Sequence, residues 1–328
     1  MRYARSVLTM ALWLGGADCA LAEVGLRTLT YPDPVHGGAS PAAVWYPTAA
    51  PEQPVRRGPY TFSVAENGPA TTGRHPLVVV SHGSGGSAFN HADTAMMLAR
   101  RGYVVLAVHH RGNAIDSNSD AGTEKMLRGR PVQLSAALDS LLAHPDLGGH
   151  VDAGRIGALG FSSGAYTVLV AAGGVAELTR IADYCLSPPV GERFCHLGNE
   201  VARGTVAAAD PRIRAAVLLA PVGIPFTRTG LAQVTIPVRL YRAEHDAELA
   251  PSQAEAVRDA LPAPPEYVKV NGAGHFSFLA PFPPVLTAEI GAPAQDPPGF
   301  DRAAFHERLN TEVVDFFDRT LAVGDTGR

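Results

Sequence analysis

Between residues 76 and 270 the chain alternates short, mostly apolar runs with stretches of helical spacing, and few architectures accept that order. The runs are Pro76–Ser81 (PLVVVS), Tyr103–Val108 (YVVLAV), Arg155–Leu159 (RIGAL), Ile213–Leu219 (IRAAVLL), Pro237–Tyr241 (PVRLY) and Tyr267–Val270 (YVKV). Most lack a two-residue period, which predicts strands buried on both faces. His91–Arg100, Pro131–Ala143, Ser162–Ala172, Ser252–Leu261 and Ala303–Leu321 carry helical spacing. Strands and helices in alternation predict an α/β fold, a mostly parallel central sheet with helices on both faces. Ala42–Tyr46 adds an earlier strand, followed by a Pro/Gly-rich connection through Gly73. Gly173–Asp210 has no clear partner strand and reads as a small insertion, or lid, over the site. In such sheets ligands bind beyond the carboxyl ends of the strands, so each loop after a strand is a candidate site loop.

One of those loops is Gly160-Phe161-Ser162-Ser163-Gly164, between a buried strand and a helix. A sharp strand-to-helix turn that presents a nucleophile needs glycine two residues before and two after it, because a side chain there would strike the neighbouring strand or helix. Ser162 has that frame. Ser163 does not, since its positions are Phe161 and Ala165. A serine hydroxyl needs a general base, and in this arrangement the partners follow in the order Ser, acid, His. Of the downstream histidines, His275 lies in a Gly-rich loop just past the last strand. His196 stands beside Cys195 in the insertion, His245 next to the acid, and His306 on what reads as the surface of the final helix. The acid falls in RAEHDAELAP. Asp246 has the spacing expected after its strand, ahead of Glu244, and Glu248 reads as a carboxylate solvated at a helix start. The Gly-rich SHGSGGS loop, 81–87, follows another buried strand. There the backbone N–H of Ser84, with that of Ser163, is assigned to the oxyanion. His82 and Gly83 in that loop are candidates for substrate contact. So is His110, from His109-His110-Arg111, whose side chains line the site or brace the oxyanion loop.

The formal net charge of -4 and the absence of a basic stripe argue against a nucleic-acid partner. No Gly-Lys-Ser/Thr follows the Gly-rich loop, and the adjacent His109 and His110 at a strand end point apart, so no cofactor and no metal are expected. Met1–Ala22 reads as a secretory signal: Arg2 and Arg5, a short apolar core, then Ala20-Leu21-Ala22 before Glu23. This predicts an exported protein, periplasmic or secreted, with one catalytic domain over 23–328 and no stable membrane insertion. Export would leave Cys185 and Cys195 in an oxidising compartment, able to pair across a short turn-rich loop.

The chain resembles the α/β-hydrolase superfamily, and within it the predicted dienelactone hydrolases and the bacterial proteins similar to platelet-activating-factor acetylhydrolase. The likeness is carried by VWYPT, LVVVSHGSGG, LAVHHRGN, RPVQLSAALDSLL, RIGALGFSSGAYT, DPRIRAAVLLAPVG, GHFSFLAPFPP and FDRAAFHERLN. The resemblance implies a sheet of about eight strands, a serine triad of Ser162, Asp246 and His275, and hydrolysis of a small-molecule or lipid-like carboxylic ester or lactone. True dienelactone hydrolases use a cysteine nucleophile, whereas this chain has serine. A peptidase or acyltransferase on the same triad, and a non-catalytic binding module on a hydrolase scaffold, are the readings left open.

Overall fold

The computed structural model describes residues 21–58, 60–189, 192–196 and 203–322. The signal-peptide expectation falls almost wholly on residues 1–20, outside the described residues. A ten-stranded sheet forms the centre. In chain order its strands are β1 (Glu23–Pro32), β2 (Ala39–Thr48), β3 (Gln53–Arg57), β4 (Tyr60–Glu66), β5 (His75–Ser81), β6 (Val104–Val108), β7 (Val151–Phe161), β10 (Ile213–Leu219), β11 (Val238–Ala243) and β12 (Glu266–Val270). The spatial order is β12-β11-β10-β7-β5-β6-β2-β1-β4-β3. From β12 to β6 every pairing is parallel. β2 then runs antiparallel to both β6 and β1.

The helices are α1 (Ala92–Arg100), α2 (Glu124–Leu142), α3 (Ser163–Ala171), α4 (Thr179–Cys185), α5 (Pro251–Ala260), α6 (Thr287–Ile290) and α7 (Arg302–Thr320). Successive residues of β5 show why its sequence is apolar throughout. Leu77 and Val79 pack with Leu134, Leu138 and Leu169 of α2 and α3, while Val78 and Val80 pack with Leu98, Leu309 and Phe317 of α1 and α7. Each strand face meets its own helical layer.

Three sequence expectations change. The sheet has ten strands rather than about eight, because the stretch read as a Pro/Gly-rich connection contains the β3–β4 hairpin. Its signal was the alternation of buried Tyr60, Phe62 and Val64 with exposed Thr61 and Ser63. β1 was also missed. Lastly, α2 begins at Glu124 rather than Pro131, with the Thr123 hydroxyl capping it by accepting from the Met126 amide at 3.2 Å. Pro131 cannot donate to the Leu127 carbonyl four residues back. The Tyr166 hydroxyl donates to that carbonyl instead, at 3.3 Å.

The insertion carries a short pair, β8 (Ala176–Glu177) with β9 (Thr205–Val206), and a disulfide joins Cys185 to Cys195 with a Cα separation of 5.4 Å. Closing so short a loop contributes about 2–3 kcal/mol. Reducing the bond, or replacing both cysteines by serine, is therefore expected to lower the unfolding free energy by that amount. Urea midpoints with and without reductant measure it, and an unchanged midpoint would remove the disulfide from the stability account.

Candidate active site

β7 delivers Phe161, and the chain turns into α3 through Ser162, whose φ of 54° and ψ of -118° lie in a region L residues avoid. Such a conformation costs on the order of 1–3 kcal/mol and survives only where its surroundings impose it. Here they do. The Ser162 N–H donates to the Leu219 carbonyl of β10 at 2.9 Å, and its carbonyl accepts from Ala165 N–H at 2.9 Å. A Cβ on Gly160 would collide with the Gly164 carbonyl, and one on Gly164 with the Ser81 carbonyl at the end of β5. The glycine frame is thus a packing requirement of the strand and helix on either side.

Asp246 and His275 meet at the neighbouring strand ends. The Asp246 loop leaves β11 and the His275 loop leaves β12, and the His245 N–H ties them by donating to the Ala273 carbonyl at 2.8 Å. Asp246 Oδ1 accepts from the amides of Glu248 and Leu249 at 2.9 and 2.8 Å. Its Oδ2 accepts from His275 Nδ1 at 2.8 Å. Because the carboxylate can only accept, Nδ1 carries a proton, and in the neutral imidazole Nε2 then keeps the lone pair. Both side chains are nearly fully buried, 4% exposed for His275 and 6% for Asp246. The imidazole packs on the Phe161 ring at 4.8 Å, one residue from Ser162. Among the described residues neither Nε2 nor Ser162 Oγ makes a hydrogen bond, and in apo sites such bonds often form only around substrate.

The Gly83 backbone lies against this turn. A Cβ there would stand 2.9 Å from the Phe161 ring and 3.5 Å from Ser162 Cβ. The amides of Ser84 and Ser163 have no hydrogen-bond acceptor among the described residues, which leaves both able to donate to a bound group.

Among the families of known proteins, a model described as platelet-activating factor acetylhydrolase, isoform II, matches residues 55–127. No curated protein matches the chain. Solved structures do. A ferulic acid esterase from Streptomyces cinnamoneus is 22% identical, with a TM-score of 0.64 over 92% of this chain and 90% of that one. A dienelactone hydrolase-like promiscuous phosphotriesterase from metagenomic libraries is 18% identical, with a TM-score of 0.58 over 92% of this chain and all of that one. This is an α/β-hydrolase fold.

In this fold a cavity of about 810 Å³ opens beside the Gly83–Asn90 loop. Its floor is Pro41, Ala42 and Ala43 of β2. One wall is Tyr60 with Arg57 of the β3–β4 hairpin, and the other is Phe276, Leu279 and Phe282 after the His275 turn. The described part of the insertion meets the site elsewhere, at the acid loop, where the amides of Arg193 and Phe194 donate to the Glu248 carbonyl at 3.0 and 3.2 Å. Glu248 also pairs with Arg193, so it is not merely solvated.

Of the three residues read as candidates for substrate contact, Gly83 lines the cavity, whereas His82 and His110 do not. They are 1% and 0% exposed and lie buried behind the Gly83–Asn90 loop as braces. His110 Nδ1 donates to Gln133 Oε1 at 3.1 Å and Nε2 accepts from Ser81 Oγ at 2.9 Å, while the His110 amide donates to His82 Nε2 at 3.2 Å. Their place is taken at the cavity wall by His109, whose Nε2 bonds Asp116 at 2.8 Å. His306 is likewise no surface residue. It is 3% exposed and bridges Asp93 to the Ser277 carbonyl, inside the turn that carries His275. The inward stripe Phe305, His306, Leu309, Val313 along α7 was the signal for it. His196 lies in the insertion, at the end of the short helical turn Phe194–His196. No helix among the described residues is long and apolar enough to cross a membrane.

Proposed function

We propose that the protein is an exported serine hydrolase of carboxylic esters. Ser162 attacks the acyl carbon while His275 Nε2 takes its proton. Asp246 holds the imidazole in the required tautomer and stabilises the imidazolium. The amides of Ser84 and Ser163 receive the developing oxyanion. His275 then protonates the departing alcohol, and water, deprotonated by the same base, releases the acid from Ser162. The observation that carries this reading is the buried 2.8 Å Asp246–His275 pair standing beside the strained Ser162 turn. Ester hydrolysis also agrees with what the matching family and the ferulic acid esterase are named for.

The cavity suits a sizeable apolar acyl group, since its volume falls in the upper range for small-ligand sites and aromatic rings form much of its wall. The disulfide supports export, because such bonds persist in oxidising compartments. A fluorophosphonate probe tests the reading: it is expected to modify Ser162 alone, as located by peptide mass spectrometry, and to abolish turnover of nitrophenyl esters in proportion. Folded protein that turns over such esters without labelling at Ser162 would overturn it. A panel of graded acyl lengths is expected to favour chains of more than two carbons.

A further inference from the structure

The oxyanion loop and the first turn of α3 hang on one buried cation. Arg130, in the middle of α2, is 1% exposed. It makes no ion pair among the described residues, and burial pushes its guanidinium down to about 9, still charged at neutral pH. All its hydrogen bonds go to uncharged acceptors. Nε donates to Thr167 Oγ1 at 3.1 Å, Nη1 to Asn113 Oδ1 at 2.6 Å, and Nη2 to Ser81 Oγ at 3.2 Å and to the His82 carbonyl.

Three of these four acceptors hand the connection on toward Ser84 and Ser163. Thr167 Oγ1 donates to the Ser163 carbonyl at 2.9 Å. Asn113 Nδ2 donates to Ser84 Oγ at 2.8 Å. The His82 carbonyl belongs to the peptide that enters Gly83-Ser84. One rigid fork thereby joins the end of β5, which leads to the Ser84 amide, to the start of α3, which supplies the Ser163 amide. The histidines packed beside it add no charge: burial and the Arg130 charge hold both His82 and His110 well below the usual imidazole range.

A buried cation lacking a contact counter-ion costs several kcal/mol, and an apolar side chain of similar size would fill the same space without that cost. Among the described residues no carboxylate pairs with Arg130, and the tetrahedral intermediate places a negative charge at the loops that its fork joins. We infer that Arg130 is a positioning residue of the oxyanion hole: its fork sets the spacing of the Ser84 and Ser163 amides, and its charge favours the anion they bind. The inference rests on the hydrolase reading above. Lysine keeps the charge but presents a compact point donor on a flexible stem, so it cannot bridge these acceptors at once.

The test uses the whole protein and a trifluoromethyl ketone with a 13C carbonyl. Ser162 Oγ adds to the carbonyl carbon, its proton passes to His275, and the carbonyl oxygen becomes an oxyanion whose titration is read from the 13C shift. Arg130→Lys is expected to lower kcat by about 10-fold, and Arg130→Met by about 100-fold, with KM within about threefold. In both variants the adduct oxyanion is expected to titrate at least about one pH unit higher than in the wild type. A folded variant with wild-type kcat overturns the inference. So does a fall in kcat with the adduct titration unmoved, since that is what a merely structural arginine would give. If neither variant folds, Asn113→Ala, which cuts the relay to Ser84, decides by the same two readouts. A wild type that forms no adduct at Ser162 fails differently, by removing the hydrolase reading itself.

Discussion

Ser162→Ala is expected to lower kcat for an activated short-chain ester by at least about 10⁴-fold while leaving the thermal midpoint within a few degrees of the wild type. The two halves of this expectation have separate causes. The loss follows because the hydroxyl is the only atom that forms the acyl-enzyme, and His275 has no proton to take without it. A second change, His275→Ala in the same chain, is expected to cost little more, since residues that act as a unit are far from additive. The unchanged stability follows from the backbone. Alanine at φ 54° carries the same strain as serine, and Ser162 Oγ makes no hydrogen bond among the described residues. Ser162→Gly separates the two effects: it should be equally inactive yet more stable by about 1 kcal/mol, because glycine occupies that region freely. Retention of more than about one per cent of wild-type kcat in Ser162→Ala would remove Ser162 from the reaction.

The parts of this site that are legible in the sequence are those where the constraint is local. Gly160 is demanded by the Gly164 carbonyl within the same turn, and Gly164 by the end of the adjoining strand β5, so the sharp strand-to-helix turn shows as a glycine frame in the sequence. Strands buried on both faces write themselves as continuous apolar runs, which is why β5, β6 and β10 stand out. The cavity is less legible because its walls are made by elements with weaker signals. The β3–β4 hairpin is hidden among prolines and glycines, and the wall after His275 has only short helical turns. Buried polar residues are the least legible of all. Arg130, His91 and His306 look like ordinary helix-surface residues until the helices are docked, since their partners are far away in the chain: the His306–Asp93 contact that joins α7 to α1 spans 213 residues.

Those buried histidines set how the protein responds to acid. His82, His91 and His110 are all fully enclosed, and burial lowers each of them, His91 to about 4. For His91 the Asp93 carboxylate opposes the shift and His306 reinforces it, with desolvation dominant. Both its ring nitrogens are buried without a hydrogen-bond partner among the described residues. The folded form of each imidazole is therefore neutral, while the unfolded chain takes up a proton near pH 6.5. A group whose folded pKa is depressed in this way, being a base, binds more protons unfolded than folded between the two values. Stability is thus fully present above about pH 6.5 and falls as the pH drops toward 4. The His91 shift alone corresponds to about 3 kcal/mol by the bottom of that window. His82 and His110 add to it, because protonating His82 Nε2 would displace the amide bond from His110 that braces the oxyanion loop. Carboxylates held low in the folded state, such as Asp33 and Asp210, lose their contribution mainly at lower pH, below their ordinary value of 3.8. The unfolding free energy, measured by urea titration, is therefore expected to fall by at least about 3 kcal/mol between pH 7 and pH 4.5. His91→Gln should flatten that dependence by most of the His91 share. A midpoint that holds steady from pH 6.5 to 4.5 would mean that these imidazoles are charged in the folded protein, and that the scaffold beneath the oxyanion loop is built differently from the hydrogen-bond network described above.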